Sequence, residues 1–162
     1  MVRMNNVYGP RQACTKLIPK FITLAIEGKP YPLMGDGKHS RSWMFVDDCA
    51  EAIRRVTEQG LVGEIYNIGV DFEKTNYDVT LQIHSLVNQA LRRPKTTPKF
   101  AVTCDRPYND RRYCIDFSKI NKSLDWRCVT PFDVGLMKTI EYYLKLEKSS
   151  WPEGKRDQRI QG

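Results

Sequence analysis

Short β-favouring runs alternate with amphipathic stretches of helical period along most of this chain, and such a chain buries its apolar faces by laying helices on a sheet. Residues 2–8 favour β structure and close on Gly9-Pro10, so they read as a strand feeding a loop. Pro19 suits the first turn of a helix, and Ile18, Phe21, Ile22 and Ala25 recur at helical spacing until Gly28, which sets a helix over 17–27. Residues 31–34 are extended, Gly35-Asp36-Gly37 turns the chain, and 41–46 reads as another strand. Asp48 and Glu51 have capping-box spacing ahead of Ala50, Ile53 and Val56, on a helix ending before Gly60. A strand over 64–68 follows, then a helix capped by Asn76 and carrying Val79, Ile83, Leu86 or Val87, and Ala90, stopped by Arg92-Arg93-Pro94. A strand over 99–103 precedes the last helix, with Thr130 as N-cap, Pro131 at N1, Asp133 at N3 and Phe132, Leu136, Ile140 and Tyr143 inward. Residues 149–162 lose the apolar period and read as a loose tail. The class is α/β or α+β.

Lys and Arg number 26 against 19 Asp and Glu, a formal charge of +7, which raises the question of a polyanionic partner. The charge is unevenly placed. Residues 1–46 hold 7 basic and 2 acidic groups, 47–91 hold 3 and 8, and 92–123 hold 9 and 3. No RNA-binding motif, zinc-finger spacing or long basic run accompanies the two cationic segments, so no nucleic acid is expected, and both segments can converge on one small anion. No apolar run approaches the ~20 residues of a membrane span and residues 1–6 lack a signal-peptide core, so a cytoplasmic protein without membrane contact is expected. Cys14, Cys49, Cys104, Cys114 and Cys128 are scattered and odd in number, which suggests reduced thiols and neither a disulfide framework nor a metal site. His39 and His84 lack partner spacing for a metal or a nucleophile and read as structural, while Trp43, Trp126 and Trp151 read as packing residues.

Asn5 and Asn6 place carboxamides at the end of a strand, where open α/β sheets bind ligands, although such a pair also satisfies ordinary turns. Further segments follow in order: Lys16-Leu17-Ile18-Pro19, Gly35-Asp36-Gly37 with Arg41-Ser42-Trp43, Val46-Asp47-Asp48, and Gly63-Glu64-Ile65-Tyr66-Asn67-Ile68-Gly69. The run Asp105-Arg106-Pro107-Tyr108-Asn109-Asp110-Arg111-Arg112-Tyr113 completes the series. In order and spacing this resembles the C-terminal half of the nucleoside-diphosphate-glucose 4,6-dehydratases, which are Rossmann-type extended short-chain dehydrogenases/reductases. The first segments are shared with sugar-nucleotide epimerases and decarboxylases, whereas the last run is narrower and favours the dehydratases.

The resemblance implies an α/β fold in which residues 1–147 form a nucleotide-sugar-binding lobe with the last strands of an NAD-binding domain, followed by a flexible tail over 148–162. It implies a nucleoside-diphosphate sugar, linked to thymidine or uridine, as ligand and NAD as cofactor. Asn5 would contact substrate and Asn6 the cofactor, while Lys16, Leu17, Pro32, Leu33 and Met34 would line the nucleotide end. Arg41, Asn67 and Arg106 would approach the diphosphate, with Arg106, Asn109 and Asp110 closing over the nucleoside. A guanidinium fork suits paired phosphate oxygens better than an ammonium does. A homodimer is implied, with its interface largely missing from these residues.

The same resemblance calls for a glycine-rich βαβ fingerprint, a Tyr-x-x-x-Lys pair and an Asp-Glu pair, and none of them is in this sequence. Tyr108 is followed four residues on by Arg112 and Tyr142 by Leu146. No catalytic residue is therefore assigned, and the chain is expected to bind without turnover. The alternatives are a lobe of an epimerase or decarboxylase and a non-catalytic nucleotide-sugar-binding module.

Overall fold

The alternation of side chains along one strand organises the molecule. In the computed structural model, which describes residues 1–105, 107–146 and 148–152, β4 (Ser40–Phe45) sends Trp43 and Phe45 into one apolar cluster and Met44 into another. Successive strand residues face opposite sides, so both faces of β4 must be covered. On one side lie α1 (Leu17–Glu27), α3 (Asn76–Ala90) and α5 (Phe132–Lys145), which contribute Phe21, Ile83 and Leu136 to the larger cluster. On the other lie α2 (Val46–Gln59) and α4 (Ser118–Leu124), with Ala52 and Ile120 in the smaller one.

The N-terminal strand splits at Asn5. β1 (Val2–Met4) runs parallel to β5 (Tyr66–Ile68), whereas β2 (Asn6–Tyr8) runs parallel to β4. The Asn5 N–H donates to the Ile68 carbonyl at 3.1 Å, at the point where the two pairings diverge. β3 (Tyr31–Met34) pairs in parallel with β7 (Phe100–Thr103). β6 (Glu73–Thr75) joins β4 antiparallel, and β8 (Arg112–Tyr113) joins it in parallel. The architecture is α/β with a mainly parallel arrangement of strands.

α5 approaches the sheet closely because residue 135 is glycine. A Cβ there would lie 2.5 Å from Tyr8 Oη and 2.7 Å from Phe45 Cδ2, and the Tyr8 hydroxyl donates to the Phe132 carbonyl at 2.9 Å.

Several sequence expectations need correction. Periodicity in the sequence does not mark β6, β8 or α4; they are short, and few of their residues are buried. α3 is capped by Thr75, whose Oγ1 accepts the Asp78 N–H at 3.0 Å, rather than by Asn76. The N-cap of α5 is Pro131 rather than Thr130. Asp48 and Glu51 do not form a capping box, because α2 begins earlier, with Phe45 as its N-cap, and Asp48 lies inside the first turn. Glu51 holds Arg54 and Arg55, and Asp48 accepts the N–H groups of Val129 and Thr130, both at 3.1 Å. Beyond α5, residues Lys148–Ser150 make one 3-10 turn, and the Pro152 carbonyl accepts the Cys14 N–H at 2.9 Å. The remainder of the expected tail, 153–162, lies outside the described residues. No helix among the described residues is long and apolar enough to cross a membrane.

Candidate functional site

The start of α1, the length of β3 and the β4 residues Arg41 and Trp43 line a cleft of about 320 Å³. Its floor is apolar: Leu17 and Phe21 come from α1, and Pro32, Leu33 and Met34 from β3. Its polar rim holds Asn6, Arg41 and Asn109, together with Thr15, Lys20, Trp43 and Asn76. Leu17, Pro32, Leu33, Met34, Arg41 and Asn109, the residues expected at a nucleotide sugar, all line this one cleft, and Asn6, expected to contact the cofactor, lines it with them.

The other expected residues sit differently. Lys16 is exposed at the N-cap of α1, and Lys20, one turn further on, lines the cleft instead. Asn67 spends its amide on the Asp116 carbonyl at 2.8 Å, tying β5 to the segment before α4. Asp110 is exposed and outside the lining. Asn5 is 4% exposed, next to the cleft-lining Asn6, and neither its Nδ2 nor its Oδ1 has a hydrogen-bond partner. Arg106 lies outside the described residues. Trp43, expected only to pack, is 6% exposed and lines the cleft while its Nε1 donates to the Lys74 carbonyl at 3.2 Å.

Charge sets the chemistry. Among the described residues Lys20 and Arg41 are the cations of the lining, and none of the described lining residues is a carboxylate. Arg41 Nη1 donates to the Ser40 carbonyl at 2.7 Å and Nη2 to Asn109 Oδ1 at 3.0 Å, both neutral acceptors, so its charge is not cancelled locally. Asn76 adds a buried Oδ1 without a partner. A site with two cations, uncommitted amides and an apolar floor is suited to an anion carried on a partly apolar body. Among the described residues no group of three His, Cys, Asp or Glu is placed to hold a metal ion.

A dinucleotide would need a glycine-rich turn leading into a helix N-terminus. The helices begin after Lys16, Phe45, Thr75, Phe117 and Pro131, and none follows such a turn. The described residues do not make a pyrophosphate cradle for NAD.

The GDP-mannose 4,6 dehydratase family model matches residues 1–139. A dTDP-glucose 4,6-dehydratase of Xanthomonas campestris is 41% identical over 156 residues, which are 94% of this chain and 44% of that protein. The crystal structure of dTDP-glucose 4,6-dehydratase from Bacillus anthracis in complex with NAD superposes with a TM-score of 0.81 at 41% identity, covering 93% of this chain and 45% of that one. The dTDP-glucose 4,6-dehydratase DesIV from Streptomyces venezuelae, with NAD and TYD bound, gives a TM-score of 0.78 at 36% identity, over 88% of this chain and 42% of that one. The chain thus spans under half the length of these relatives, and its α/β fold matches their Rossmann-type, extended short-chain dehydrogenase architecture.

Proposed function

The chain belongs to the GDP-mannose 4,6 dehydratase family, and from that premise we propose that its cleft binds a nucleoside-diphosphate sugar, as the nucleotide-sugar-binding portion of an NAD-dependent dTDP- or UDP-glucose 4,6-dehydratase. One observation carries this reading: Arg41 and Lys20 share the cleft with apolar side chains of α1 and β3, and no described lining residue is a carboxylate. A diphosphate meets the cations, and a pyrimidine base finds flat apolar surface at Leu17, Pro32, Leu33 and Met34. Asn6 and Asn76 offer amides that bond either a sugar hydroxyl or a phosphate oxygen. The cytoplasmic location belongs to this proposal, as does residue 1–147 acting as a substrate lobe.

The residues present bind and orient, and they offer no base for oxidation at C4. No tyrosine has a lysine four positions on, so nothing holds a phenolate ready to take the C4 hydroxyl proton. We therefore expect binding without turnover from the 162-residue chain.

Titration calorimetry with thymidine and uridine diphosphates, their glucose conjugates and the free nucleosides tests the reading. Binding that needs the diphosphate and weakens with added salt is the expected result. Equal affinity for nucleoside and nucleoside diphosphate would overturn it. Formation of a 4-keto-6-deoxy sugar by the purified chain would overturn the expectation of no turnover.

A further inference from the structure

Arg41 is held by a chain of contacts whose far end is buried. Its Nη2 donates to Asn109 Oδ1 at 3.0 Å, and Asn109 Nδ2 donates to Asp105 Oδ1 at 2.8 Å. The other oxygen of that carboxylate, Oδ2, lies 3.1 Å from Nε2 of His39, a residue 5% exposed. The contacts therefore run from an imidazole just before β4, through the segment after β7, to a cation in the cleft. The polarity of the chain is fixed. Turning the Asn109 amide over would set its NH2 against the guanidinium and its oxygen against the carboxylate, like against like at both ends. Gly35 keeps the space open: its φ is +56°, and a Cβ there would lie 3.1 Å from Asp105 Oδ2.

We propose that His39 and Asp105 are positioning residues, which anchor Asn109 and through it hold the Arg41 guanidinium in the orientation that receives the ligand diphosphate. The inference rests on the nucleoside-diphosphate reading of the cleft. Neither His39 nor Asp105 is among the residues lining it, so neither acts by touching the ligand. A guanidinium engages two phosphate oxygens through parallel N–H groups, and this needs its plane set correctly. An arginine left free gives up rotamer freedom on binding, whereas one already held loses less. With Nη1 on the Ser40 carbonyl and Nη2 on Asn109, the plane is fixed at two points while other N–H groups stay available.

The test uses the full 162-residue chain and its variants Asp105→Asn, His39→Leu and His39→Gln. Calorimetry with thymidine and uridine diphosphates, each against its nucleoside, is paired with side-chain NMR of Arg41 labelled with 15N. Asp105→Asn and His39→Leu should weaken diphosphate binding by about tenfold, the scale of one charge-assisted hydrogen bond, and leave nucleoside binding unchanged. His39→Gln, which retains a donor, should recover most of the loss. A parallel fall for diphosphate and nucleoside would overturn the proposal, and so would unchanged diphosphate affinity in a folded variant. Should the unmodified chain bind no ligand, the function reading fails and NMR alone decides this inference. A guanidinium ordered in the unmodified chain and freely rotating in His39→Leu upholds the positioning role, and equal mobility in both overturns it.

Discussion

The carboxylate of Asp48 and the amide of Asn5 are buried to almost the same degree, 5% and 4% exposed, but only the first is hydrogen-bonded. Asp48 Oδ1 accepts from the Val129 N–H, while Oδ2 accepts from the Thr130 N–H and the Cys128 thiol, and these bonds tie α2 to the residues leading into α5. The Asn5 side chain has no partner, and neither have Ser42 Oγ and Asn76 Oδ1. Burial of an unbonded polar group costs free energy, so a fold tolerates it where another demand applies. Asp48 joins two segments of its own chain. Asn76 in the cleft and Asn5 beside it keep bonding capacity, and on the proposed reading a bound ligand would supply the missing partners.

Removing the bonded group should have the largest effect. Asp48→Ala strands two backbone N–H groups and is expected to destabilise the fold by about 3 kcal/mol in urea unfolding, with unchanged ligand affinity for the molecules that remain folded. Arg41→Ala reverses the pattern. Diphosphate affinity should fall by about tenfold or more in calorimetry, while stability stays within about 0.5 kcal/mol, because the side chain serves the cleft and not the core. Asn5→Leu gives the sharpest contrast with Asp48→Ala at a smaller magnitude. An apolar side chain of similar size removes an unbonded amide, so stability should hold or rise by about 1 kcal/mol while ligand affinity drops. If Asn5→Leu unfolds as readily as Asp48→Ala, the distinction between the two sites collapses.

The sequence was most legible where the determining interactions are local. The sequence predicts α1 over 17–27 and the helix spans Leu17–Glu27, because Pro19, the apolar spacing and Gly28 all lie within it or beside it. Gly28 takes φ +68°, and its N–H reaches the carbonyls of Leu24 and Ala25. Asp48 shows where such reading stops. Its local pattern fits a cap, but its partners lie 80–82 residues away, beyond any window on sequence. β6 and β8 likewise exist through their pairing with β4, and their own residues, Glu73-Lys74-Thr75 and Arg112-Tyr113, carry no strong strand signal. In the cleft, the Leu17 and Pro32-Leu33-Met34 segments were readable as motifs. The exchange of Lys16 for Lys20 was not, since which of two lysines one helical turn apart faces inward depends on how α1 is rotated against the sheet.

The smallest predicted effect tests how firmly the Asp48 site is closed. Burial first, and then the neighbouring Asp48 carboxylate, raises the Cys128 thiol from 9.0 to about 12. The Tyr31 hydroxyl is raised from 10.0 to about 12 by burial alone. Both groups hold in the folded state a proton that the unfolded chain releases more readily. Their contribution to stability is therefore complete below pH 9, and it is lost as pH rises from 9 towards 12. The melting temperature should stay level up to pH 9 and then decline. At pH 8, mass spectrometry after brief iodoacetamide treatment should find the exposed Cys104 and Cys114 alkylated and Cys128 intact. Asp48→Asn removes the like-charge repulsion and keeps most of the burial, so it should make Cys128 only modestly more reactive. Alkylation of Cys128 as fast as Cys104 in the unmodified chain would show that the Asp48 site opens readily, and that its bonds do not set it apart from the cleft.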